Sequence, residues 1–152
     1  MWKKTILGVA LAMSAPPAMA SDWRAISIGE SDIVFLDFDG LLKTGSQAKA
    51  WIWVVSSEAE SSEFDNHKQF IQADCEQNTI QTLATSAYLG KKYVRNGGAK
   101  PPTYAVPDSA GWTALGALCG RSRDKADIDP ISVRDPLTWA ESYFSALAET
   151  GG

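Results

Sequence analysis

The sequence predicts an α+β domain: a small antiparallel sheet of about five or six strands, a helix packed on it, and a C-terminal helix. Three observations carry this expectation. Short apolar runs, with period-two faces in Trp23 to Ile28 and Ala48 to Val55, recur between Trp23 and Tyr88 with polar turns between them. Helical spacing begins only after Val106. The chain's two cysteines, Cys75 and Cys119, both follow a leader of secretory type, which places them where thiols oxidise.

Residues 1–20 read as that leader. Lys3 and Lys4 give a basic start, Ile6 to Met13 an apolar core, and Ala18-Met19-Ala20 a small-residue cleavage site, so cleavage is expected between Ala20 and Ser21. The apolar run is far short of the roughly 20 residues a spanning helix needs, and no membrane span is expected after cleavage. The expected location is the periplasm, surface or exterior of a Gram-negative-type bacterium. Loss of Lys3 and Lys4 moves the formal charge from −4 to −6. Such an acidic chain argues against nucleic acid or anionic membrane as a partner. Its best basic group, Lys91, Lys92 and Arg95 with Lys100, reads as solvated edge charge. About 130 residues suffice for one domain.

An isolated cysteine pair in an exported chain reads as a disulfide, Cys75 to Cys119, worth about 3–4 kcal/mol on the chain-entropy model. One histidine is too few for a usual zinc site, and no metal or cofactor is expected.

Trp23 to Ile28 is the opening strand, ended by Gly29-Glu30-Ser31-Asp32, and Ile33 to Asp37 is the second. Leu41 to Thr44 reads as its continuation past a bend at Asp39-Gly40, before Gly45-Ser46-Gln47 turns the chain. Ala48 to Val55 has apolar bulk on both faces and reads as a central strand, with Trp51 and Trp53 on one side as core. The polar stretch from Ser56 to His67 reads as a mobile loop, with His67 an exposed loop residue. Phe70 to Cys75 and Thr79 to Tyr88 are further strands joined at Glu76-Gln77-Asn78, followed by short strands at Tyr93-Val94 and Tyr104 to Val106.

Asp108 or Ser109 is a fit N-cap for a helix over 109–119, with Trp112, Leu115 and Cys119 on one face and Gly120 ending it. Burying that stripe would carry Cys119 toward the sheet. Residues 21–120 thus form the β domain. The rest, 121–152, is an extension, charged and irregular through Ile131, then helical over 136–149 behind Asp135-Pro136.

One motif looks catalytic. IVFLDFDG resembles the first motif of haloacid-dehalogenase-type phosphatases, in which the first Asp attacks phosphorus and the second protonates the leaving oxygen. Those residues would be Asp37 and Asp39, with magnesium nearby. The later parts are missing. A parallel sheet needs a crossover of a dozen or more residues, and about eleven separate Asp39 from Trp51. Ser56 arrives too early, and Asp124, Asp127 and Asp129 follow no apolar strand. Asp37 and Asp39 therefore read as turn and edge-strand carboxylates, with a small phosphatase as the alternative.

The order of features is similar to that of the surface-adhesin protein E family of exported bacterial proteins. Trp23 comes first, then VFLDFDGLLKTG, AKAWIW with Trp51, Cys75, AYLG, and Val106-Pro107-Asp108-Ser109 before a helix ending at Leu118-Cys119. Where that family has Pro-Gly-Ser, this chain has Asp108 for the glycine. The resemblance spans Trp23 to about Gly120. It implies a small antiparallel sheet crossed by a helix, locked by a strand-to-helix disulfide. It also implies adhesion to host matrix or serum proteins, with haem as a suggested ligand. The expected function is a non-enzymatic envelope or surface protein, a binding or adhesion module whose partners are host or envelope proteins. A long exposed apolar sheet edge would add dimerisation.

Overall fold

The strand Asp32–Asp37 (β2) sets the architecture. Its residues Ile33, Val34, Phe35 and Leu36 are each at most 2% exposed. Side chains alternate between the faces of a strand, so β2 must be covered on both sides. Two helices supply the covers. The protein is described by a computed structural model over residues 21–57, 63–120 and 131–150.

The other strands are β1 (Trp23–Ile28), β3 (Leu42–Thr44), β4 (Gln47–Ser56), β5 (Asn66–Asp74), β6 (Thr79–Leu89), β7 (Lys92–Gly97), β8 (Thr103–Tyr104) and β9 (Ile131–Val133). The helices are α1 (Ala110–Cys119) and α2 (Pro136–Thr150). One sheet runs β7-β6-β5-β4-β2-β1-β9, with β3 beside β4 and β8 beside β6. Every pairing is antiparallel.

This is the expected α+β class with a larger sheet, nine strands rather than five or six. The strands without an expected counterpart are β3 and β9, three residues each, while β8 (Thr103–Tyr104) starts one residue before the short strand expected at Tyr104 to Val106. Runs so short carry no readable period. β3 is not a continuation of β2. It is a hairpin partner of β4, turned at Gly45-Ser46. β2 itself lies between β1 and β4, so Asp37 ends an interior strand rather than an edge strand. β5 begins at Asn66, four residues before its expected start, and takes His67 out of the loop into a ladder with Val54 and Ala87.

The two faces have separate cores. On one, Ile26, Val34, Leu36, Ala50 and Ile71 meet Leu115 and Leu118 of α1. On the other, Trp23, Ile33, Phe35 and Val55 meet Leu137 and Ala140 of α2, with Trp51, Trp53, Trp139 and Tyr143 partly buried around them. β1 serves both faces by alternation, Ala25 toward α2 and Ile26 toward α1, and its register shifts between Ala25 and Ser27, where Ile26 is the extra residue.

Ser109 is the N-cap of α1, its hydroxyl oxygen accepting the Trp112 N–H at 3.1 Å. Gly120 closes that helix with φ 66°, a left-handed conformation that glycine adopts without strain. Asp108 also takes positive φ, 63°. Asp135 caps α2, with Pro136 as its first residue. β9 and α2 join residues 131–150 to the same sheet and core that residues 21–120 build.

Candidate functional site

Cys75 and Cys119 are bonded, with Cα atoms 5.6 Å apart. Cys75 opens the β5–β6 turn, and its N–H donates to the Ser46 carbonyl at 2.8 Å. The bridge therefore joins that turn to the last residue of α1. Ala20 lies outside the described residues, as do Asp124, Asp127 and Asp129. Ser21 is the first described residue, and its carbonyl accepts the Trp23 N–H at 3.1 Å.

The Asp-Phe-Asp-Gly motif forms a turn docked on the start of β1. Asp37 is 7% exposed and accepts the Gly40 N–H at 3.1 Å. A side chain at position 40 would meet Asp37 Oδ2 at 2.7 Å, so the glycine is required by close approach to the carboxylate. Asp39 accepts the Asp22 N–H at 3.0 Å, and the Asp22 carbonyl accepts the Phe38 N–H at 3.0 Å. Asp22 also binds Arg24, whose guanidinium lies 4.5 Å from the Phe38 ring centroid, and accepts the Ser132 hydroxyl at 2.8 Å. Its carboxyl is held below the usual range, chiefly by the Arg24 hydrogen bond. Both aspartates thus have local duties, and β2 leads into an antiparallel hairpin.

His67 lies edge-on to Phe64 at 5.9 Å, in a depression of about 470 Å³ with Gln69, Arg95 and Lys100 on the α1 face of the sheet. Haem, which the family resemblance implies, would find there the chain's one imidazole. The apolar lining is confined to Phe64 and Ala87, too little to hold a porphyrin face, and the residues do not fit that group. Among the described residues, no group of three or more His, Cys, Asp or Glu is arranged to hold a metal ion. No helix among them is long and apolar enough to cross a membrane.

A better-built site lies on the opposite face. A cleft of about 390 Å³ opens where the N-terminal end of α2 meets β4, β5 and β6. The sheet register builds its centre. Lys68 stands directly opposite Trp53 in the β4–β5 ladder, and cross-strand partners share a face. Lys68 Nζ lies 3.9 Å from the Trp53 ring centroid, with the Trp23 and Tyr88 rings at 5.7 and 5.9 Å. Ammonium over an indole face is attracted by the ring quadrupole. Burial pushes the Lys68 pKa down, and the Asp135 carboxylate offsets part of that.

Trp53 is itself held in place. Its Nε1–H donates to Asn66 Oδ1 at 2.9 Å, and Asn66 is 1% exposed. The Asn66 amide donates to the Gly90 carbonyl at 2.9 Å and to Asp65 at 2.8 Å, while Asp65 accepts the Gly90 N–H at 2.9 Å. This network ties the β6–β7 turn to β4 and β5. Lys91 and Arg134 stand in the lining, Tyr88 and Leu137 give apolar walls, and Asp135 completes the rim. The Asp135 carboxylate accepts the Thr138 N–H and hydroxyl at 3.2 and 3.0 Å, which with Lys91 holds its pKa below the usual range.

The sequence predicts the Asp135 cap but reads Trp53 as core, and it gives no site role to Lys68, Asn66, Tyr88 or Arg134. The available signal was the polar run Asn66 to Gln69, which alternates in register with the far side of β4 once β5 is started at Asn66. No family model, curated protein or solved structure matches the chain. The reading of function therefore rests on the residues themselves.

Proposed function

We propose that this protein is an exported, non-enzymatic binding domain of the cell envelope, acting in the periplasm or at the cell surface. The observation that carries the reading is the cleft beside α2, where fixed aromatic walls hold a lysine. Its one carboxylate, Asp135, is occupied in capping a helix. Export is supported by the leader-like residues 1–20 and by the disulfide, a bond that persists in oxidising compartments. A non-enzymatic role is supported by the local hydrogen bonds that engage Asp37 and Asp39. The family resemblance makes a host or envelope protein the macromolecular partner.

Protease treatment of intact cells, with a known periplasmic protein as control, tests the location. Cleavage while the control survives places the protein on the surface. Survival of both until the outer membrane is opened places it in the periplasm. Recovery of a reduced, uncleaved protein in the cytosol would end the export reading. Purified protein should not turn over a generic phosphate ester. Turnover abolished by Asp37→Asn would replace this reading with the phosphatase.

A further inference from the structure

We propose that the cleft at the N-terminal end of α2 binds a small organic acid, a carboxylate carried on an apolar body, with Lys68 as the residue that receives the carboxylate. The inference rests on the reading of this chain as a binding protein, but not on the compartment in which it works.

Charge is the first argument. The chain carries a formal net charge of −4, yet the cleft is lined by the cations Lys68, Lys91 and Arg134 against the single carboxylate of Asp135. That carboxylate already accepts two hydrogen bonds from Thr138. The lining is therefore positive within an acidic protein, and a cleft focuses such a field on an incoming anion.

Lys68 is the second argument. Among the described residues it has no carboxylate within ion-pair distance; the pairs formed are Arg24 with Asp22 and Arg95 with Glu63. Aromatic faces attract its charge but are poor acceptors for an ammonium's three donors. A bound carboxylate would supply acceptors in a half-buried setting, where a charge-assisted hydrogen bond is stronger than a neutral one. It would also counter the burial that pushes the Lys68 pKa down. The position is prepared in advance, because Asn66 fixes the Trp53 ring against which Lys68 lies.

Shape and donor supply select the ligand class. Trp53, Tyr88, Pro136 and Leu137 give apolar walls, and about 390 Å³ exceeds what an inorganic ion fills. The first turn of α2 gives a phosphate ester no free backbone donor, so the helix end adds nothing to the side-chain cations that a carboxylate would use equally well. Pro136 has no N–H, and the Thr138 N–H is taken by Asp135. A monocarboxylate with a ring or short chain matches one lysine, a flanking cation and these walls.

The test uses the purified protein with its disulfide intact, titrated with phenylacetate, indole-3-acetate and octanoate at up to millimolar concentration. Phenylacetamide and phenethylamine serve as neutral and cationic controls, with NMR as the readout. The expected result is that at least one acid saturably shifts the Trp53 indole N–H and the Gly90 amide. Phenylacetamide and phenethylamine should bind about tenfold more weakly than the acids or not at all. Lys68→Met should weaken the acid about tenfold or more, while Lys68→Arg retains most of the affinity. An unchanged dispersion of amide signals checks that Lys68→Met folds; should it not, Arg134→Gln is read in its place, with weakened binding expected. Shifts centred elsewhere, equal binding of acid and amide, no acid binding, or indifference to both variants would overturn the assignment. None of these outcomes bears on protease accessibility in cells, so failure here is distinct from failure of the export reading.

Discussion

The two faces of the sheet bury apolar surface in different ways. Against α1 the residues are small or aliphatic: Ala48, Ala50 and Ala73 from the strands, Ala114, Leu115 and Leu118 from the helix. Small side chains let the helix approach closely, and Cys75–Cys119 holds its end. Against α2 the residues are aromatic. Phe35 and Trp139 meet edge to face at 5.9 Å, Trp139 and Tyr143 stack at 5.7 Å, and Trp23 meets Trp53 edge-on at 5.6 Å. Trp51, Trp53, Trp139 and Tyr143 are only partly buried, and the cleft opens among the polar residues beyond them. Large rings with polar tips cover area without sealing it, whereas alanine and leucine seal. Beside α1 the core is closed by small aliphatic side chains, and beside α2 partly buried rings border the cleft proposed above as a binding site.

The largest effect that would sharpen this contrast is loss of the disulfide. It spans a sequence separation of 44, for which the chain-entropy model gives about 4 kcal/mol. The double variant Cys75→Ser/Cys119→Ser should lose that much in denaturant unfolding, and the wild type should lose as much on reduction. A loss below about 1 kcal/mol would mean that packing alone holds α1, and that the faces differ less than their chemistry suggests.

Next come substitutions in the two cores. Leu118 is fully buried, so Leu118→Ala should cost about 3 kcal/mol. Trp139 is larger but only partly buried, and Trp139→Ala should cost less, about 1–2 kcal/mol through lost ring contacts and partial burial. A Trp139→Ala cost above that of Leu118→Ala would show the aromatic face to be as tightly packed as the other.

The same contrast explains what the residues disclosed on first reading. Period-two alternation in Ala48 to Val55, the cap at Ser109 and the stop at Gly120 are local signals, and each is where the pattern put it. Asp108 has φ 63° at the position where the resembled family has glycine, a conformation that Asp tolerates better than most residues. The pairing of β9 with β1 is legible in neither segment, because three residues joined to a strand more than a hundred positions away carry no local period. His67 has the local character of a loop residue because polar residues start β5, although a covered neighbour strand lets them pair. The cleft was hidden for a related reason. Lys68 reaches Trp53 only through the register of the β4–β5 ladder, and Tyr88 and Arg134 arrive from two further elements. Asp37 and Asp39 show the converse: a local motif resembled a catalytic one, while tertiary contacts with Asp22 and Gly40 gave it a turn to hold.

On the aromatic face, the network under the cleft comes next in size. Asn66→Ala would leave the Trp53 N–H and the Gly90 carbonyl without their partner in a buried setting, at a cost of about 2 kcal/mol. Trp53 fluorescence should change with it, since the indole loses its fixed hydrogen bond. Unchanged stability would mean that water replaces the asparagine, and that the walls of the cleft are less fixed than their hydrogen bonds suggest.

The smallest effect is also the one with a defined pH signature. Asp135→Ala removes the α2 cap and should cost about 1 kcal/mol near neutrality. The folded pKa of Asp135 is lowered by its hydrogen bonds with Thr138 and by Lys91, while burial works the other way. A carboxyl whose folded pKa is depressed contributes stability that is present above its unfolded value, 3.8, and lost as pH falls through the folded pKa. The gap between wild type and Asp135→Ala should therefore be full at pH 7 and narrow as pH falls below 3.8 through the depressed folded pKa. Because the carboxylate is exposed, its attraction to Lys91 and Lys68 is screened, and the cap hydrogen bonds carry most of the effect. Asp135→Asn keeps a capping oxygen, so it should retain most of the stability and lose the pH dependence. It should also leave the cleft more positive and tighten carboxylate binding. A gap that did not narrow as the carboxyl is protonated would mean that the neutral Asp135 side chain caps α2 as well as the charged one, and the absence of any gap at pH 7 would assign the cap to the backbone and Pro136 alone.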